Sequence, residues 1–317
     1  MCSAEHGRRG SAGFTLVEVM VAMMITGILA TVIFQLVQGQ GRFVAMQSGR
    51  EEVQDNARGA LELIASELRS LPAEGILSAD SNSIRFRLPR AWGVLCDAPA
   101  ALGGFVGVAF PDSTFPVEFP SPFAAGDSAW MLGIPTVAGG TGGPYVQARI
   151  TGVAADNGSC AANLGLAPTS PATRQRFNLA APSGATVAGP GEAVFLFQTV
   201  AYDVGTSSGS NPPGVWLRRR QGFSSPDPLA GPLQAADGAT TSPQGLRFTY
   251  FCGGQALTPS QILVPANLAT VDRIRIKVAV QSRNRTRSGT GTGSRETQTD
   301  SVTVHLRNNP GGAACPM

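Results

Sequence analysis

The sequence predicts an α+β protein in which one long N-terminal helix packs on a C-terminal antiparallel β-rich head. Three observations carry that prediction. An apolar run from Phe14 to about Val37 contains a single charge, Glu18. Beyond it, apolar residues recur every three or four positions as far as Leu71, the spacing of one helical face. From about residue 73 the period falls to two, as in strands with one buried and one wet face.

The chain opens with a short polar stretch, Met1 to Gly13, carrying Arg8 and Arg9. An ordinary secretory signal is cut after its apolar core. Here the small residue, Gly13, stands before the apolar run, so the run is expected to stay in the mature chain. The arginines mark the cytoplasmic end and place everything after Val37 outside. A helix over 14–37 rises about 36 Å, enough to span the hydrocarbon core with some tilt. A lone carboxylate in such a segment costs about 2.5–3.5 kcal/mol at mid-membrane and is a functional suspect by default. Glu18 therefore needs a partner. A cut between Gly13 and Phe14 supplies one: the new α-amino group lies four residues from Glu18, or is offered to the Glu18 of a neighbouring subunit. An uncut signal anchor is the plainer alternative.

The second half of the helix is amphipathic. Val53, Ala57, Ala60, Leu61, Ile64, Leu68 and Leu71 form its apolar face. Glu51, Glu52, Gln54, Asp55, Arg58, Glu62, Glu67 and Arg69 form the expected solvated face. Pro72 ends the pattern. Gly39, Gly41 and Gly49 lie at the junction of the two halves. Each costs about 1 kcal/mol relative to alanine and is a natural bending point.

Strand patterns follow. Ile84, Phe86 and Leu88 alternate with Arg85 and Arg87; Val146, Ala148 and Ile150 alternate with polar residues. Phe105–Phe110, Glu192–Val204, Val215–Arg219 and Leu246–Phe251 read as further strands. The clearest pair is C-terminal. Ile274, Ile276, Val278 and Val280 oppose Arg273, Arg275, Lys277 and Gln281, and Val302, Val304 and Leu306 oppose Thr303, His305 and Arg307. Gly, Pro and Ser-rich stretches between them suit an antiparallel sheet with long decorations. The polar connection from about Ser282 to Asp300, with its SGTGTGS run, reads as a surface loop.

The 317 residues allow one or two domains beyond the anchor. Net charge is +3, of which the 1–13 stretch contributes one unit, so no strongly electrostatic partner is implied. Of five cysteines, Cys2 lies before Gly13. Cys96, Cys160, Cys252 and Cys315 remain, an even number in a segment expected to meet an oxidising compartment. Four cysteines allow three pairings; the pairing of sequence neighbours, Cys96–Cys160 and Cys252–Cys315, is favoured, and free thiols are the alternative.

Catalysis has no visible constellation. The two histidines are His6, before the cut, and His305, on a strand. The glycine clusters at 139–143 and 289–294 lack the strand-before, helix-after context of a phosphate-binding loop. No CxxC, HExxH or EF-hand pattern occurs, so no metal or other cofactor is expected. Arg218-Arg219-Arg220 and the row Arg273, Arg275, Lys277, Arg283, Arg285, Arg287 are read as ordinary solvent contacts. Nucleic acid binding, which needs several phosphate contacts from one patch, is disfavoured.

The stretch GFTLVEVMVAMMITGILATVIFQLVQ resembles the signal of type IV prepilins and type II secretion pseudopilins. The resemblance implies cleavage after Gly13 by a prepilin peptidase, N-methylation of Phe14, and an assembly role for Glu18. Many major pilins carry proline where this chain has Gln35, which favours a minor subunit. With the QDNARGALELIASELRSL segment and the two C-terminal strands, the layout resembles the PilW type of minor pilin. The J-type pseudopilin of type II secretion is the alternative; a singly anchored DNA- or ligand-binding surface protein is the other. The implied fold is type IV pilin-like, divided into a leader (1–13), a transmembrane and assembly helix (14–37), its amphipathic continuation (38–71) and a β-rich head (72–317). The implied partners are the peptidase, other minor pilins and the major pilin, a pilus-tip adhesin, and inner-membrane lipid before assembly. The implied location is the bacterial inner membrane, head outward, and then the pilus.

Overall fold

The computed structural model describes residues 15–71, 75–97, 105–110, 130–135, 145–155, 158–165, 173–180, 189–206, 214–222, 224–234, 245–283, 295–306 and 315. Residues 1–14, including Gly13 and Phe14, and the glycine clusters at 139–143 and 289–294 lie outside these residues. So do Arg285, Arg287 and Arg307.

Helix α1 spans Leu16–Arg69 without interruption, about 80 Å at 1.5 Å per residue. Gly39, Gly41 and Gly49 are helical, so the expected bending points are absorbed. From 15 to 48 every residue is exposed. From Val53 onward the apolar face is buried: Val53, Ala57, Ala60, Leu61, Ile64, Leu68 and Leu71 are all at most 4% exposed. Glu67 departs from its expected place on the solvated face. It is 8% exposed and faces the head, because its carboxylate meets a tyrosine and an arginine there.

The head contains two antiparallel sheets. The smaller has the order β11–β10–β12–β13, built from β10 (Leu246–Cys252), β11 (Gln255–Ala256), β12 (Arg273–Gln281) and β13 (Thr297–His305). Its long pair runs in unbroken register from Arg273↔His305 to Gln281↔Thr297. Ile274, Ile276, Val278, Val280 and Val304 are buried on the helix side. Strand β13 tracks α1: Arg50 pairs with Glu296 at 3.5 Å, and Asp300 to Val302 line a groove with Arg58, Leu61 and Ala65. Short helices α3 (Pro259–Ile262) and α4 (Pro265–Leu268) connect β11 to β12.

The larger sheet comprises β1 (Ile76–Ala79), β2 (Ile84–Leu95), β3 (Phe105–Phe110), β4 (Trp130–Pro135), β5 (Tyr145–Ala155), β6 (Thr173–Ala180), β7 (Ala193–Thr206), β8 (Val215–Gln221) and β9 (Asp227–Ala230). Its order is β1–β2–β3–β6–β5–β4–β7–β8–β9, and β2 also pairs with β7. That extra pairing closes β2, β3, β6, β5, β4 and β7 into a six-stranded barrel, which removes free edges. The middle of the chain is thus a closed barrel with its own core, where the sequence reading expected loop decorations on one sheet. Leu95, Val106, Val108, Phe110, Ala148, Ile150, Phe177, Val194 and Leu196 fill it. Phe110 meets Phe177 edge to face at 5.9 Å. Gly93 must be small: a Cβ there would stand 2.7 Å from Val108.

Strands β2 and β7 serve both cores, and a proline makes this possible. The register slips between Pro89 and Ala91, a bulge at a residue with no N–H to donate. Before the bulge, Ile84, Phe86 and Leu88 face the helix-side core with Val200 and Tyr202. After it, Ala91 and Leu95 face the barrel with Val194 and Leu196. One extra residue shifts the inward parity, as a period-two pattern requires.

Both disulfides join sequence neighbours. Cys96–Cys160 has S–S 1.99 Å and ties the end of β2 to α2 (Ser159–Leu164). Cys252–Cys315 has S–S 2.04 Å and ties the end of β10 to the C-terminal segment.

Candidate functional site

The N-terminal half of α1 holds the sequence-nominated charge. Thr15 caps the helix in an extended conformation, and its hydroxyl accepts a 3.3 Å hydrogen bond from the Glu18 N–H. Thr15 to Glu18 is the S/T-x-x-E spacing of a capped start, and a carboxylate in the first turn also complements the helix dipole. That local stabilisation does not discharge Glu18. It is exposed, and among the described residues its carboxylate has no ion-pair partner. Beside it, Val19, Ala22, Met23 and Thr26 line a shallow groove. The small Ala22 and Thr26 lie one and two turns on, so a neighbouring helix can approach closely. Thr26 returns its hydroxyl proton to the Ala22 carbonyl at 2.7 Å and so presents little polarity to an apolar neighbour.

The other half of α1 is fastened to the head. Tyr202 donates its hydroxyl proton to Glu67 Oε2 at 2.6 Å, and Arg219 donates to both Glu67 oxygens. Burial first, and the Glu67 charge second, push the Tyr202 phenol well above its ordinary value. Burial alone would lower the Arg219 guanidinium, but the Glu67 carboxylate outweighs it and the net direction is upward. Lower on the helix, Arg283 pairs with Glu52 at 3.0 Å. The helix is therefore tied to the head beyond about Gly49, and stands bare before it.

A pH dependence follows from two buried tyrosines. Tyr250 is also pushed well above its ordinary value, by burial first and Asp80 second; its hydroxyl donates to the Asp80 and Ser83 carbonyls. A raised folded value means that the stabilisation is complete below pH 10 and is lost as pH rises beyond it. Each tyrosine should remove about 1.4 kcal/mol per pH unit above that point. Tyrosinate absorbance and circular dichroism followed together should then change in one cooperative step. Of the three tyrosines, early titration of more than one with the fold intact contradicts this.

The Arg218–Arg220 cluster is paired within the chain. Arg218 binds Asp203 at 2.7 Å, Arg219 binds Glu67, and Arg220 approaches Asp203 at 3.7 Å. No signal in the sequence marked Glu67 as the partner of Arg219: the two are 152 residues apart, and the helix position of Glu67 alone is consistent with solvent.

Fold and site together define a class: a β-rich head rigidly mounted on a helix whose N-terminal half is long and apolar enough to cross a membrane. Residues 8–34 match the family model described as the prokaryotic N-terminal methylation motif. That match supports a type IV pilin or pseudopilin, a structural subunit processed by prepilin peptidase and assembled with other pilins. It ends before the head begins. No curated protein and no solved structure matches the chain.

Proposed function

We propose that the chain is a minor pilin of the PilW type that primes or caps type IV pilus assembly. Residues 1–13 hold the precursor in the inner membrane as a leader. Cleavage after Gly13 frees the Phe14 amine, which is methylated. Residues 14–37 form the membrane and assembly helix, 38–71 its amphipathic continuation, and 72–317 the head outside the cytoplasm. Glu18 of an incoming subunit pairs with the Phe14 amine of its neighbour. An unpaired carboxylate among apolar helices is penalised, so a subunit at the wrong height is rejected and axial register is set. The head then selects other minor pilins and carries a tip adhesin.

The observation that supports this reading is Glu18, without an ion-pair partner among the described residues, on an exposed apolar half-helix whose other half is fastened to the head. The test is intact-mass and N-terminal peptide mass spectrometry of protein from native membranes and sheared pili. A mature chain beginning at N-methylated Phe14 and present in pili is expected. Bulky substitution of Gly13 should leave the precursor uncut. A wild-type chain retaining residues 1–13, or mature chain from the Gly13 variant, overturns the reading.

A further inference from the structure

The outer face of the small sheet is cationic and under-compensated. Register places Arg247 directly opposite Lys277, Thr249 opposite Arg275, and Phe251 opposite Arg273. Arg247, Arg275 and Lys277 are exposed. Among the described residues no carboxylate pairs with any of the three. Arg273 has Asp272 at 3.5 Å, and the guanidinium carbons of Arg273 and Arg275 stand 5.5 and 5.3 Å from the Phe251 ring centroid. Opposite Lys277, Arg275 and Arg273, β13 places Ser301, Thr303 and His305. Like charges directly opposite across a strand pair destabilise it. A face needed only for solubility is served better by threonine or a mixed pair.

The face also has a definite aspect. Because the other face of the sheet packs on α1, this surface points away from the helix. A partner can therefore reach it without displacing the helix, and its charge selects an acidic one. We propose that it docks an acidic surface of a different subunit, a partner choice that rests on the assembly reading above. A second copy is a poor match. A two-fold contact sets this face against itself, and the exposed face of α1 mixes Glu51, Asp55 and Glu62 with Arg50, Arg58 and Arg69. Duplex nucleic acid is a poor match too: the row from Arg273 to Lys277 covers about 14 Å, with three cations lacking a carboxylate partner among the described residues, against the roughly six to ten phosphate contacts of a strong binder.

The test uses the full chain in neutral detergent, with labelled poly-L-glutamate and a labelled DNA duplex as probes. The variants are R275E/K277E and, as a control, R85E, an exposed cation elsewhere. Salt-sensitive binding of polyglutamate is expected, weakened at least tenfold by R275E/K277E and unchanged by R85E. In cells the double variant should be cleaved normally but recovered from sheared pili at least tenfold less. Equal binding by wild type and double variant overturns the proposal, and preference for the duplex overturns it in favour of nucleic acid. If wild type is cut and the double variant is recovered normally, only the docking proposal falls. A wild-type chain that stays uncut overturns the assembly reading and this partner with it.

Discussion

Glu18→Ala is expected to leave cleavage and membrane insertion intact and to reduce recovery of the protein in sheared pili at least tenfold. The substitution removes only the side-chain carboxylate. The cap at the helix start uses the Glu18 backbone N–H and the Thr15 hydroxyl, so alanine keeps it, and alanine is the best helix former. In the membrane the variant loses a charge whose burial costs about 2.5–3.5 kcal/mol, so insertion does not suffer. In the assembly, the methylated Phe14 amine of a neighbour would lose its counter-charge. Paired measurements on membranes and sheared pili separate the steps. Normal recovery of the cleaved variant removes the register mechanism.

Glu67→Ala is expected to cost about 3 kcal/mol of stability. Breaking a buried pair by removing one partner leaves the other charge uncompensated, typically at 3–5 kcal/mol. Arg219 keeps some access to solvent, with its side chain 18% exposed, which places the estimate at the lower end. Tyr202 loses its acceptor as well. Denaturant titration of the full chain in detergent, followed by circular dichroism, measures the change. Adding Arg219→Met should cost less than the sum of the single variants, because the second substitution removes the stranded charge. A Glu67→Ala effect within about 0.5 kcal/mol of zero, on the scale of ordinary surface substitutions, means that the carboxylate does not fasten helix to head.

The two expectations differ in how far the sequence alone supports them. Glu18 stands out without any structure, because one charge in an apolar run contradicts its surroundings. Glu67 does not. It falls among charged residues on a helix, and its burial depends on Tyr202 and Arg219, which are distant in sequence. The same contrast runs through the strands. β12 and β13 announce themselves by strict alternation. β4 and β6 went unread, and so did β1 and β9. Thr173–Ala180 reads TRQRFNLA, and among its described side chains only Phe177 is fully buried. A small barrel has room for few inward residues, so each strand carries a faint pattern.

The long helix, its apolar and amphipathic halves, the candidate processing site, the lone carboxylate and the two amphipathic C-terminal strands are legible in the amino-acid order. All of these are local: a helix or strand period, or one residue at odds with its neighbours, is legible within a window of a few turns. The closure of β2 on β7, the sharing of those strands between two cores across the Pro89 bulge, and the burial of Glu67 emerge only on folding. Each depends on pairing between residues far apart in the chain, and a one-residue shift in register is enough to change which face is inside.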